Sequence, residues 1–323
     1  MKNKNIIYWF EKLITFLEHS VDIKSGKDKL IYSYKVNSIK KSLQVIKNID
    51  FEIKSGDEIK EYKNIGIGTI NRIDEIIKTG KLAEVKEDIE NYENELMNVF
   101  GIGRVKAFEL YTKHNIKTIQ DLKKAYKNKE IELSDVIIKG LKYYDKIKEN
   151  IPREEIDEIN IYLLNCCSKI DKNLSLIICG SYRREKDISN DIDIIISHPE
   201  IKTKKDIENS DLLTRFINYL EKDKFIVCSL TSNETTTKYM GLCKYKKYPI
   251  RRIDVRFIAQ ASYYTAILYF TGSKDFNKNI RGVALSMGYT LNEYELTNNK
   301  KINSEKDIFD YLNMEYIEPS KRN

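Results

Sequence analysis

Asp191 and Asp193 stand as Asp-x-Asp inside an isoleucine run, "NDIDIIIS", ten residues after the Gly180-Ser181 pair of "CGSYRR". A third carboxylate, Asp254, lies in "RRIDVRFI". Side chains alternate faces along a strand, so Asp191 and Asp193 share one face and Ile192, Ile194 and Ile196 the other. Arg252, Asp254 and Arg256 likewise share a face, opposite Ile253, Val255 and Phe257. If the two strands are neighbours, three carboxylates converge, and such charges cannot sit together uncompensated. Mg²⁺ takes oxygen ligands, commonly one or two carboxylates plus substrate phosphates. Two such ions about 4 Å apart suit phosphoryl or nucleotidyl transfer, one activating a hydroxyl and one holding a triphosphate. An exposed, charged strand face would give the same Asp-x-Asp. The preceding segment argues against that reading: a strand end, a Gly-Ser turn and a helix start form a phosphate cradle in which Ser181 can donate.

The elements that must carry these groups are short β-branched or aromatic runs bounded by polar turns. "LSLIICG", "DIDIIIS", "FIVCSL", "KYMGLCKY" and "RRIDVRFI" read as strands. A helix from about Asp206 to Leu220 separates the second from the third. Pro152 marks a boundary, and Arg153, Glu154 and Glu155 open a helix with acids in its first turn, where the dipole favours them. Before that boundary the chain reads as helices. Ile6, Phe10, Leu13, Ile14 and Leu17 recur at helical spacing, as do Ile39, Leu43 and Ile46.

Two related stretches occur in this helical half, "YKNIGIGTINRIDEIIKTGKL" and "MNVFGIGRVKAFELYTKHNIKT". Gly66 and Gly103 occupy equivalent places, 37 residues apart. The pair resembles two helix-hairpin-helix motifs, in which a tight Gly turn lets backbone N–H groups approach a phosphate without reading a base. Two ordinary glycine-capped helical hairpins are the alternative. Gly66, Gly68, Gly101, Gly103 and Arg104 are the candidate phosphate contacts.

With 323 residues and a net charge of +7, the chain is long enough for two or three small domains and suits a polyanion partner. Cys166, Cys167, Cys179, Cys228 and Cys243 form no C-x-x-C pair, which fits a reduced intracellular protein, and three scattered histidines argue against zinc. The N-terminus lacks a signal-peptide layout, and the longest uncharged run, Phe257 to Ser273, falls short of a membrane span. No membrane partner is expected. Nucleus and cytoplasm are both compatible.

Gly-Ser followed by D-x-D is the signature of the nucleotidyltransferase superfamily. "IPREE", "CGSYRR", "SNDIDIIISHP", "KYMG", "RRIDVRFI", "YFTGSKDFNKNIRGVAL", "GYTLNEYEL" and "SEKDIFDYL" follow in order. Together they resemble the family X DNA polymerases, closest to the polymerase beta branch, from about residue 30 onward. The resemblance implies a multidomain α plus α+β fold: a helical lyase-like domain with the first hairpin (1–88), a duplex-binding subdomain with the second (89–150), a nucleotidyltransferase (polymerase-beta-like) catalytic palm (151–260) and a C-terminal fingers-type subdomain that binds the nascent base pair (261–323).

By position, the resemblance implies that Asp191, Asp193 and Asp254 bind two Mg²⁺ (Mn²⁺ able to substitute), with Asp254 helping to activate the primer 3′-hydroxyl. Ser181, Arg184 and Ser189 would hold phosphates of the incoming nucleotide. Tyr269, Phe270 and Gly272 would form a sugar pocket that excludes a 2′-hydroxyl. Asn277 would meet the base, Arg281 the template, and Arg252 the primer terminus, while Asn292 and Tyr294 would close the pocket. Arg256 would pair with Asp193 in an open state and release it on closing. Backbone carbonyls of Lys60, Tyr62 and Ile65, and of Met97, Val99 and Ile102, would bind Na⁺ or K⁺.

Four departures from the family pattern follow. Arg72 stands where the family's lyase uses a Schiff-base lysine, and a guanidinium cannot act as an amine nucleophile. Ile39 and Tyr34 replace a tyrosine and a histidine there, while Lys35 and Lys41 remain, so lyase activity is expected to be lost or moved to another lysine such as Lys35, with DNA-phosphate recognition, by Lys35 among others, partly kept. Asn150 replaces a triphosphate-binding arginine, a loss of roughly 1.5–3 kcal/mol. Lys274 replaces an aspartate near the incoming base, and Asn190 a glycine. The expectation is a monomeric, gap-filling DNA polymerase of base-excision repair acting on gapped or nicked duplex DNA and deoxynucleoside triphosphates. A template-independent terminal transferase and a non-catalytic DNA-binding scaffold are the alternatives.

Overall fold

The computed structural model describes residues 2–22, 24–85, 94–231, 236–297 and 301–322. The chain divides into two compact units, Met1–Leu141 and Lys142–Asn323. The subdomain boundary expected at residues 88 and 89 lies outside the described residues.

The first unit is helical. α1 (Lys4–Asp22) and α2 (Gly26–Asn48) pack as a pair, and α3 (Ile67–Thr79) closes their core. The expected apolar positions Ile6, Phe10, Leu13, Leu17, Leu43 and Ile46 meet Ile73 and Ile76 there. Gly80 ends α3 in the left-handed conformation, and its carbonyl accepts from Trp9 Nε1 at 2.8 Å. α4 (Arg104–His114), α5 (Ile119–Lys127) and α6 (Asp135–Tyr143) follow, α5 opened by a Thr118–Asp121 capping box.

The second unit is built on a five-stranded mixed sheet. β1 (Ile151–Pro152) and β3 (Ile188–Ser189) form a separate short pair. β2 (Ser175–Ile178), β4 (Ile192–Ser197), β5 (Ile226–Ser229), β6 (Lys238–Cys243) and β7 (Arg251–Phe257) run in the order β2-β4-β7-β6-β5. Among the described strands of this sheet, only β4 and β7 pair in parallel. One face carries α7 (Arg153–Ile170) and, after the short α8 (Gly180–Arg183) and α9 (Lys204–Glu208), α10 (Leu212–Lys222). Ile156, Ile159 and Leu163 of α7 and Leu213, Phe216 and Leu220 of α10 pack there with Ile192, Ile194, Ile253 and Val255. On the opposite face, Ile195 meets Ala266 and Ile267 of α11 (Tyr263–Thr271). α12 (Lys274–Ser286) and α13 (Glu305–Tyr311) pack through Phe276, Ile280, Ile308 and Phe309.

The single helix expected near Asp206–Leu220 is two. A Thr203–Asp206 capping box starts α9 early, and Asn209, Ser210 and Asp211 interrupt the run, the Ser210 hydroxyl accepting from Leu212 N at 3.2 Å. Such side chains compete with the backbone for helical bonds. The acids opening α7 also divide their roles. Glu155 is buried and takes a bidentate pair from Arg251 Nε and Nη2 at 2.8 and 2.7 Å. This pair ties the first turn of α7 to the start of β7, the strand that bears Asp254.

Candidate active site

β4 and β7 lie side by side in register, with Asp193 opposite Asp254. Alternation then decides the faces. In β7, Arg252, Asp254 and Arg256 are part-exposed between buried Arg251, Ile253, Val255 and Phe257. Asp191 sits just before β4 and completes the cluster. One carboxylate oxygen from each of Asp191, Asp193 and Asp254 lies within 4.8 Å of the others.

The turn before β4 is shaped around this cluster. Cys179 N donates to the Asp193 carbonyl at 2.7 Å. Gly180 has φ +58, and a Cβ there would lie 2.3 Å from Asp193 Oδ2. Glycine is therefore required twice, for its backbone conformation and for its missing side chain. Ser181 Oγ donates to Ser189 Oγ at 2.8 Å, so the two expected phosphate contacts are neighbours. Ser189 itself is only 4% exposed and lies behind Ser181 rather than lining the cavity described below.

The electrostatics favour a cation. Burial and then the adjacent Asp254 push the Asp193 carboxyl up to about 6, against the pull of Arg184 and Arg256. Burial also raises Asp254 despite Arg252 and Arg256. Asp254 Oδ1 is buried without a hydrogen-bond partner among the described residues. Crowded, desolvated carboxylates with an orphan oxygen fit a hard divalent ion.

A cavity of about 730 Å³ opens beside the cluster. Gly180, Ser181, Arg184, Asp191 and Asp193 line one side, and Tyr269, Phe270, Gly272, Asn277 and Arg281 the other, with Asn190 and Lys274 also present. Arg184 Nη1 donates to Thr271 O at 2.5 Å, while its Nε is buried with no hydrogen-bond partner among the described residues. Asn277 Nδ2 donates to Tyr269 O at 2.7 Å, and Arg281 lies over the Tyr269 ring. Gly272 has φ +69.

Several expected contacts stand elsewhere. Arg252, not Arg256, is ion-paired with the aspartates, to Asp191 and at 3.7 Å to Asp254. Arg256 lies 5.4 Å over the Phe270 ring instead. It lines a second cavity with Phe270 and Tyr294, so Tyr294 is outside the nucleotide-sized cavity, and Asn292 is too. The Asn292 side chain accepts from Tyr294 N and Glu295 N, which shapes the turn. Asn150 is exposed and does not line the cavity.

In the helical unit the repeat extends to the backbone. Ile65 N donates to Tyr62 O, and Ile102 N to Val99 O, each at 3.1 Å. Asn64 and Gly101 hold the matching left-handed position, and Gly66 and Gly103 cap α3 and α4. Lys60 and Met97, the remaining expected carbonyl ligands, sit in the same turns, and Gly68 and Arg104 begin the helices that follow. Elsewhere in this unit Arg72 Nε and Lys35 Nζ both bond Glu84, at 2.8 and 2.6 Å. Burial would raise the Glu84 carboxyl, but the bonds from Arg72 and Lys35 outweigh it and hold it below its ordinary value.

Comparison with known proteins gives this arrangement its lineage. The DNA polymerase beta palm family matches residues 150–260 and the DNA polymerase beta thumb 266–323. The fingers domain of DNA polymerase lambda matches 94–148 and a helix-hairpin-helix domain 1–82. A crystal structure of Leishmania infantum polymerase beta, a ternary P/T complex, aligns with TM-score 0.65 and 31% identity, covering 73% of this chain and all of that one. The chain belongs to the family X DNA polymerases. Among curated relatives, DNA polymerase lambda of Arabidopsis thaliana is 30% identical over 99% of this chain and 62% of its own length. DNA nucleotidylexotransferase of Gallus gallus is 24% identical over 90% of this chain and 65% of its own length. The chain thus spans less than two thirds of these curated relatives. In this family X member the C-terminal subdomain expected as fingers-type matches the family's thumb, and the segment expected to bind duplex matches its fingers. Among the described residues, no helix is long and apolar enough to cross a membrane.

Proposed function

We propose that the protein is a DNA-directed DNA polymerase that fills short gaps during DNA repair, acting as a monomer inside the cell. The observation that carries this reading is the pairing of Asp193 with Asp254 across parallel β4 and β7, beside a cationic cavity of nucleotide size. Asp191, Asp193 and Asp254 would hold two Mg²⁺ ions, which supply Lewis-acid activation of the attacking hydroxyl and neutralise phosphate charge. The protein's own groups do the rest. Ser181 and Arg184 orient the phosphates from the α8 turn. Gly272, between Tyr269-Phe270 and Asn277, brings backbone against the sugar, where a 2′-hydroxyl would clash. Arg281 and Asn277 meet the nascent pair. Arg252, ion-paired with Asp191 and Asp254, would meet the primer end. The paired hairpin turns, with Gly66, Gly68, Gly101, Gly103 and Arg104, would grip duplex phosphates, and their carbonyls would accept Na⁺ or K⁺.

The lyase step is proposed to be absent. Arg72 is bonded to Glu84 and to the Gly68 carbonyl, and the Lys35 ammonium is ion-paired with the same Glu84. Neither is a free amine. The short connection between β5 and β6 favours templated synthesis over terminal transfer; its residues 232–235 lie outside the described residues.

Primer extension on one-nucleotide-gapped DNA with Mg²⁺ or Mn²⁺ tests the main reading. Wild type should extend and Asp254→Ala should not; equal extension by both would leave a DNA-binding scaffold. Borohydride trapping on a 5′-deoxyribose phosphate end should yield no adduct, and a trapped adduct would restore the lyase.

A further inference from the structure

The largest fully buried side chain of the described residues is a charged one, Arg322. Its guanidinium lies among the rings of Phe276, Phe309 and Tyr316, 5.3, 5.5 and 5.6 Å from their centroids. Arg322 Nη1 donates to Glu305 Oε1 at 2.6 Å, and Nε to Ile317 O at 2.8 Å. Glu305, at the start of α13, is shared: Arg183 of α8 donates to its Oε1 at 3.1 Å and its Oε2 at 2.5 Å. Arg183 Nη1 also donates to Thr271 Oγ1 at 2.7 Å. A second link returns through the main chain, where Ser273 N donates to Arg322 O at 2.9 Å. Thr271 and Ser273 flank Gly272.

We propose that Arg322 is a positioning residue for the incoming nucleotide, holding the Thr271–Ser273 turn in place through Glu305 and Arg183 on one side and through its own carbonyl on the other. The inference rests on the polymerase reading and adds a determinant far from the reacting atoms. Burying a guanidinium is costly unless it is paired and hydrogen-bonded. Here the pairing is spent on a carboxylate that already has Arg183, so the third charge adds geometry rather than neutrality. Glu305 held by two arginines has one orientation, and Arg183 is aimed at Thr271 in consequence. With Arg322 gone, Glu305 keeps Arg183 but loses its fixed direction. The turn that presents backbone to the sugar then samples wider positions. Binding and sugar discrimination suffer more than the chemical step, whose carboxylates sit on β4, just before it and on β7.

The test uses the full chain in single-nucleotide gap filling, with Arg322→Met, Arg322→Lys and Glu305→Gln. Circular dichroism and active-site titration establish folding and the active fraction. Arg322→Met should raise the deoxynucleotide KM about tenfold or more, the scale of one lost charge-assisted bond, with kcat within about threefold. Its preference for deoxy- over ribonucleotides should fall in parallel. Arg322→Lys retains charge without the fork and should recover part of both. Glu305→Gln keeps the shape and should move KM the same way, which preserves the test if Arg322→Met fails to fold. A lower active fraction with unchanged KM and unchanged sugar preference in folded Arg322→Lys and Glu305→Gln would overturn the proposal. Failure of wild type to extend would instead defeat the polymerase reading.

Discussion

Replacing Gly180 by alanine perturbs the site at its tightest contact. The new Cβ would lie 2.3 Å from Asp193 Oδ2, where real Cβ contacts begin near 3 Å. The carboxylate or the α8 turn must therefore shift by most of an ångström. The φ of +58 adds a left-handed penalty of about 1–2 kcal/mol for an L-residue. A folded-state loss of roughly 1–3 kcal/mol corresponds to a melting point about 2–12 °C lower for a unit of this size. The kinetic effect should be larger, since a displacement of about 1 Å in positioned groups can cost on the order of 100-fold. Gap-filling rate at saturating nucleotide, with melting followed by fluorescence, reads both. Gly282→Ala supplies the control. Gly282 lies within α12 with no heavy atom near its absent Cβ, so alanine there should raise stability by about 0.5–1 kcal/mol and leave the rate unchanged. Wild-type rate in Gly180→Ala would refute the claim that this glycine gives Asp193 its place.

Arg251→Ala should destabilise the second unit by about 3–5 kcal/mol, because Glu155 would stay buried and unpaired, and the double variant Glu155→Leu/Arg251→Met should recover much of it; chemical denaturation measures both, and a small loss in the single variant would contradict the buried-pair account. Glu84, held below its ordinary 4.5 by Arg72 and Lys35, contributes stability that is present above pH 4.5 and disappears as pH falls through the lowered folded value. Melting curves of wild type and Glu84→Gln should differ above pH 5 and converge in stronger acid; a constant difference would show that the ion pairs are not responsible. Lys274→Asp removes one of the cations lining the nucleotide-sized cavity and adds a carboxylate, so the nucleotide KM should rise about tenfold or more; a fall would show that the Lys274 charge does not help to hold the triphosphate.

Much of the candidate site was legible before any fold was known, because strand alternation has a period of two and needs no tertiary information. It assigned Asp193 and Asp254 to polar faces, and the Gly-Ser turn marked the cradle ahead of them. The spacing of the two glycine turns likewise foretold a backbone repeat, which reappears in the Tyr62–Ile65 and Val99–Ile102 bonds. Less legible was the division of labour among arginines. Arg251, Arg252 and Arg256 all lie on one strand, and their partners come from elements distant in sequence. Glu155 claims Arg251 from α7, Asp191 claims Arg252, and Phe270 lies under Arg256.

The residues alone thus determined which side chains face the chemistry and which face the core, since local geometry and hydrophobic pattern suffice for that. Whether β4 and β7 were neighbours, in parallel and in a register that sets Asp193 against Asp254, was decided by tertiary structure. So was the enclosure of Arg322 and Glu305 behind the Thr271–Ser273 turn. Long-range pairing and side-chain direction depend on which surfaces meet, and a strand sequence does not carry the identity of its neighbour.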